Sequence, residues 1–232
     1  MSEVFFFWDP TIVLLIPALM LALWAQMRVQ SAYSRFSRVP ASSGLSAYEA
    51  ARILLDRNGL LDVDIEVVPG TLSDHYDPRG RVLRLSEGTY RSRSIAALGI
   101  AAHEVGHAVQ HATGYAALAI RNAIVPVVNF GSMLAFPLFL FGLLFRSPGL
   151  MDLGILLFLG VVLFHLITLP VEFDASSRAV RMLLDGGLIN VAEVGAVRSV
   201  LSAAALTYVA ATAMAVANLL RLLMFRSMAR DE

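Results

Sequence analysis

The chain of 232 residues is 57% hydrophobic, with a mean hydropathy of +0.69. Soluble domains carry about 45–50% apolar residues, so this composition excludes an ordinary soluble domain. Eighteen basic residues, all arginine, balance 18 acidic ones, leaving no global electrostatic argument for nucleic acid or an acidic partner; the absence of cysteine removes disulfides and thiol chemistry.

The first apolar stretch runs from about Val4 to Ala25, with Asp9 and Pro10 marking a boundary near its start. It meets the roughly 20 residues that a bilayer requires and lacks a basic leading segment, so it reads as an uncleaved anchor rather than a signal peptide. Arg28 to Gly44 is rich in Ser and Arg and carries Tyr33, Phe36 and Val39. It reads either as a juxtamembrane linker lying partly on headgroups or as a flexible tether. Ser46-Ala47-Tyr48-Glu49 is a capping box and Asn58-Gly59 a stop signal, which predicts a helix from Ala47 to Arg57. Val63 to Val68 alternates as a strand, and Arg81 to Ser86 is a second strand. Asp77-Pro78-Arg79-Gly80 between them is a tight-turn sequence, so a small β-hairpin is expected. The second strand is the candidate edge for an extended substrate, with plain structural pairing as the alternative. His75 and Tyr76 precede the turn. Either can serve as an oxyanion donor, though a histidine in a turn is more often inert.

Ser94 is a natural N-cap and Gly114 a natural C-cap, and no proline falls between Ile95 and Thr113. Ile95, Leu98, Ala102, Val105 and Val109 give the intervening helix an apolar stripe; Gly99 and Gly106 leave room for a close neighbour. This helix contains His103-Glu104-Val105-Gly106-His107, the pattern H-E-x-x-H. Positions i and i+4 share a helix face with a rise of ~6 Å, so two imidazoles can ligate one Zn²⁺ while Glu104 stands beside them as a base for water. His111 lies a further ~6 Å along the axis, too far to join one ion on a straight helix, and reads as supporting or structural.

A catalytic zinc takes a third protein ligand. Without cysteine, this is His, Asp or Glu. His165 lies inside an apolar run; Glu172, directly after one, is the better candidate, and Asp174 competes with it. A carboxylate at that place also suits an ordinary helix start. Further spans are expected at about Ile124 to Phe145, Leu150 to Leu169 and Leu201 to Phe225, with a buried helix of a soluble bundle over Ala203 to Ala217 as the alternative to the last. Arg28, Arg35, Arg38, Arg121, Arg178, Arg181 and Arg198 flank the spans on one side, and Arg146 stands alone in the loop between the second and third. The positive-inside rule then puts the segments around the motif and around Glu172 in the cytoplasm, with Arg226 and Arg230 running against it. The expected divisions are an anchor (1–27), a cytoplasmic subdomain (28–122), a membrane hairpin (123–170), a cytoplasmic helix with the third ligand (171–200), and a last span with its tail (201–232).

Four stretches together carry a resemblance: Leu72-Ser73-Asp74-His75-Tyr76-Asp77-Pro78; Leu83-Arg84-Leu85-Ser86; Ala102 through His111; and Thr168 through Ser176. The chain resembles the bacterial membrane-integral neutral zinc metallopeptidases over nearly its whole length. More distantly, it is similar to the gluzincin membrane proteases that process prenylated proteins or act in membrane-protein quality control. The resemblance implies a mainly α, polytopic fold with His103 and His107 as zinc ligands, Glu104 as base and Glu172 as third ligand. The distant group carries an aspartate four residues after the glutamate ligand, where this chain has Ser176; the Ser176 hydroxyl or Asp174 is the expected substitute.

The expectation is therefore a multi-pass enzyme of the cytoplasmic membrane, with Zn²⁺ as cofactor and membrane-associated proteins or peptides as substrates. An intramembrane protease of the site-2 kind is disfavoured because the motif segment carries Arg93 and Gln110 and no 18-residue apolar run. A non-hydrolytic zinc-binding scaffold or chaperone is disfavoured by Glu104, which zinc retention alone does not need.

Overall fold

The structure, a computed structural model, describes residues 10–229; the expectations placed on Val4 to Asp9 and on Arg230 lie outside that range. The elements are a 3-10 turn (Pro10–Leu15), α1 (Ile16–Phe36), α2 (Ala47–Arg57), β1 (Asp64–Val68), β2 (His75–Asp77), β3 (Val82–Ser86), α3 (Glu87–Tyr90), α4 (Ile95–Ala112), α5 (Ala116–Leu144), α6 (Pro148–Asp185) and α7 (Val194–Met228). Four helical stretches are long and apolar enough to cross a membrane: Thr11–Phe36, Ala116–Leu144, Pro148–Asp185 and Val191–Met228. The chain is thus a mainly α, polytopic membrane protein with a small sheet.

Two compact units divide the chain. One comprises Met1–Ala25, Ile120–Leu169 and Thr207–Glu232; the other comprises Gln26–Ala119 and Pro170–Leu206. In the first, the α5–α6 hairpin packs tightly because two glycines leave room for backbone. A Cβ on Gly154 would lie 2.6 Å from the Ala135 carbonyl oxygen, and one on Gly142 would lie 2.5 Å from the Met151 nitrogen. Phe139, Met151 and Leu222 are buried together beside them.

The second unit has a water-soluble kind of core. Leu54, Leu55, Leu83, Leu85, Leu98 and Leu183 are all buried in one cluster drawn from α2, β3, α4 and α6. Each such side chain contributes about 1.5–3 kcal/mol through burial. Helix α2 starts and stops as predicted: Ser46 accepts from the Glu49 N–H, Glu49 closes the capping box, and Gly59 turns the chain at φ +74°. The stretch expected as a linker after Arg28 is instead helical up to Phe36. It has a reason to be: Val29, Ala32, Tyr33 and Phe36 pack with Ala96, Ile100, Val200 and Ala203.

The strand pairing corrects the sequence reading. The order is β1-β3-β2, with β1 parallel to β3 and β2 antiparallel to it. The Asp77 turn therefore closes a hairpin of β2 and β3, not of β1 and β3. Strand β3 is central, with both sides paired, and cannot be the substrate edge; the edges are β1 and β2. The missed strand is only three residues long, too short for periodicity to reveal. Side chains hold it instead: Asp74 accepts from the Ser86 N–H (2.8 Å), the Ser86 hydroxyl (3.0 Å) and the Thr89 hydroxyl (3.2 Å).

Candidate metal centre

Helix α4 begins where the Ser94 hydroxyl accepts from the Ala97 N–H. Its mid-point touches α6 backbone to backbone: a Cβ on Gly106 would lie 2.7 Å from the Ala175 carbonyl oxygen. Glycine is the residue that permits this approach. The contact sets His103 and His107, on either side of Gly106, against Glu172 and Ser176, on either side of Ala175.

His103 Nε2 lies 3.3 Å and His107 Nε2 3.6 Å from the same Glu172 oxygen. Among the described residues, these three form a group whose ligand atoms all lie within 4.8 Å of one another. Donors held at ~2.1 Å by a tetrahedral zinc stand roughly 3.4 Å apart, so the two measured separations fit such an ion. The carboxylate side chain is only 4% exposed and the imidazoles 14% and 12%, which leaves the site open on the histidine side.

Burial alone raises the pKa of Glu172, but hydrogen bonds and charge from the two imidazoles outweigh it and hold the carboxyl well below its usual range. Burial likewise pushes His107 down, but the Glu172 contact, the Glu104 and Glu172 charges and the Gln110 contact reverse the sign, raising it above the usual imidazole value.

Glu104 is buried, and its Oε2 accepts the Tyr76 backbone N–H at 3.0 Å. The edge strand β2 thus reaches the helix through the base candidate. Both imidazoles are tied at Nδ1: the Ser176 hydroxyl lies 3.1 Å from His103 Nδ1, and Gln110 Oε1 lies 2.9 Å from His107 Nδ1. Ser176 thus stands where the sequence reading offered it as a substitute. Gln110 had no assigned role there; its place three residues after His107, one turn along the same face, was the available signal.

The other candidates fall outside the cluster. Asp174 takes hydrogen bonds from Gln110 Nε2 (2.8 Å) and Arg178 Nε (2.5 Å). His111 Nδ1 lies 2.9 Å from the Tyr76 hydroxyl. His165 stacks edge-on with Phe164. His75 is exposed, and its Nδ1 donates to the Ser73 carbonyl at 2.9 Å. In the neutral ring that bond leaves a lone pair on Nε2, so an oxyanion could receive a proton only from the doubly protonated form.

The family described as "Putative neutral zinc metallopeptidase" matches residues 11–227. The chain belongs to this family. It is also 54% identical over 221 residues to the "Putative membrane protease YugP" of Bacillus subtilis (strain 168), a match that covers 95% of this chain and 98% of that protein. No solved structure matches. Zn²⁺ is accordingly the cofactor that the family implies, and His103, His107 and Glu172 are the side chains with the geometry to hold it.

Proposed function

We propose that this member of the family is a membrane-bound zinc endopeptidase that hydrolyses peptide bonds of membrane proteins or membrane-associated peptides, with His103, His107 and Glu172 as zinc ligands. One observation carries the reading. Two imidazole Nε2 atoms and a buried carboxylate converge on one point, while a second carboxylate, Glu104, is held beside them by a bond from a different element. Metal storage alone needs the first three groups and has no use for the fourth.

Bound there, Zn²⁺ supplies Lewis acidity, which polarises a carbonyl and makes water a competent nucleophile near neutral pH. The chain's own residues do the rest. Ser176 and Gln110 engage the Nδ1 atoms, so that Nε2 is the nitrogen presented by each histidine. Glu104 takes the proton of the attacking water and passes it to the leaving amine. The Tyr76 N–H engages one of its oxygens and leaves the other for that proton. His75 serves the oxyanion only if its ring is protonated.

We assign the site to the cytoplasmic side. Arg28, Arg35 and Arg38 follow the first span, and Arg178, Arg181 and Arg198 lie between the third and fourth. Arg226, which opposes this orientation, makes a two-pronged pair with Asp152 at 2.7 and 3.1 Å. Supporting a water-exposed and not an intramembrane site, α4 belongs to the unit with the soluble-type core.

The reading is tested by comparing membrane proteomes of cells carrying the native chain and Glu104→Gln. Uncleaved membrane proteins should accumulate with the variant; identical proteomes would favour a non-hydrolytic scaffold. Sidedness is tested with Leu61→Cys and Val191→Cys, at positions 73% and 79% exposed. An impermeant thiol reagent should label neither in intact cells, and labelling of both would invert the topology.

A further inference from the structure

Gln110 is a fully buried amide on the motif helix with every polar contact accounted for. Its Nε2 donates to the Val171 carbonyl (2.8 Å) and to Asp174 Oδ2 (2.8 Å), and its Oε1 faces His107 Nδ1 at 2.9 Å. The chemistry of these partners allows one orientation. A carbonyl and a carboxylate only accept, so the end of the amide that meets them is the donor end. Turning the amide over would set its oxygen against two other acceptors in a buried place, a loss of hydrogen bonds that the site has no means to recover.

Oε1 therefore faces His107, and it has no proton to give. His107 Nδ1 is the donor. A neutral imidazole has one N–H, so Nε2 carries the lone pair, and Nε2 is the atom that faces Glu172. We infer that Gln110 is a positioning residue that locks His107 in its metal-ready tautomer, and that Asp174 acts one step further out by fixing the direction of the Gln110 amide. Asp174 is itself held by Arg178, whose guanidinium lies over the Tyr115 ring. The chain Arg178–Asp174–Gln110–His107 gives Asp174 a function other than ligation.

His103 is held differently. Its Nδ1 meets a hydroxyl, Ser176, which donates or accepts as required. One ligand is locked in a single tautomer and the other is free to choose, so the two supporting residues contribute unequally. The inference rests on His107 being a zinc ligand, as proposed above.

The test measures zinc affinity of the full-length protein in detergent by chelator competition. His107→Ala should lose tight binding. Gln110→Met, which keeps the volume and removes the acceptor, should weaken binding on the order of 10–100-fold, the usual consequence of losing the group behind a zinc histidine. Ser176→Ala should cost less than Gln110→Met. In zinc-free protein, ring-nitrogen NMR of the neutral His107 ring should place its proton on Nδ1 in the native chain and should lose that preference in Gln110→Met. A Gln110 that merely clamped α4 to the Val171 carbonyl through its N–H groups would leave that preference unchanged.

Wild-type affinity in Gln110→Met, the same His107 tautomer in zinc-free native and Gln110→Met protein, or a native zinc-free His107 proton on Nε2 would overturn the inference. Native affinity in His107→Ala would instead remove the ligand assignment beneath it, an outcome distinct from the other three. If Gln110→Met folds poorly, the NMR signal of the zinc-free native protein still decides.

Discussion

In α5, Val127, Phe130, Met133 and Phe136 leave 63–74% of their surface open, whereas Leu54, Leu55, Leu83, Leu98 and Leu183 of the other unit leave at most 1%. The polar groups divide in the same way. In the apolar unit, the side chains of Ser132, Thr168, Thr212 and Asn218 donate to carbonyls three or four residues back on their own helices. In the other unit, Ser42 reaches Glu193, Asp74 reaches Ser86, and Gln110 reaches Asp174. Lipid can solvate exposed apolar side chains but cannot satisfy a polar group, so small polar side chains there close on their own helix, while Arg221 and Arg226 find partners in Thr11 and Asp152. Water and a private core allow long-range polar links, and such links can build a site. Chemistry is therefore expected from the second unit and placement in the bilayer from the first.

The largest expected effect concerns the metal group itself. Glu172→Ala should leave purified protein nearly free of zinc, while Asp174→Ala, which removes a residue outside the cluster, should retain much more. Metal analysis decides, and equal zinc in native and Glu172→Ala protein would remove Glu172 from the ligand set.

Next come truncations across the two units. Leu98→Ala opens a hole in a packed core and should cost about 2–5 kcal/mol. Phe130→Ala removes a side chain that is 68% exposed and should barely move the thermal midpoint. Similar losses at both sites would mean that α5 is buried in an assembly and does not face lipid.

A smaller contrast lies within α4. Gly106→Ala would push a methyl group against the Ala175 backbone and should cost about 1–3 kcal/mol. At Gly99 the nearest atom to an added Cβ is Val197 Cγ1 at 3.4 Å, an ordinary contact, so helix propensity should make Gly99→Ala neutral or mildly stabilising. Thermal unfolding of the two variants, read with zinc content, measures how far the helix contact supports the site. The smallest effect is expected at His75. With its N–H donated to Ser73, His75→Phe should leave kcat nearly unchanged; a fall on the order of 10²-fold would restore it as an oxyanion donor.

What was legible in the sequence follows the range of the interactions. The capping box at Ser46, the N-cap at Ser94 and the turn at Asp77 are local, and each stands where it was read. The motif helix was legible for the same reason, since i, i+4 spacing is a property of one element. Glu172 was reached through the chain's return after a hydrophobic hairpin and through family likeness. Strand order was not legible: whether β3 is edge or centre depends on a three-residue partner held by Asp74, whose contacts lie 12 and 15 residues away. Gln110 was missed because its role depends on a residue 64 positions distant, and a glutamine on an amphipathic helix carries no periodic signal of its own.

The central claim is that Glu104 works as a base beside a zinc held by the other three residues. Zinc-loaded native protein and Glu104→Gln, each reconstituted in lipid with a membrane-protein substrate recovered from the proteome comparison, test it most directly. The amide keeps the shape of the carboxylate and its capacity to accept the Tyr76 N–H, but it cannot take a proton from water. The account predicts equal zinc content and a loss of nearly all cleavage in the variant. Cleavage by Glu104→Gln at the native rate, with zinc bound, would contradict it.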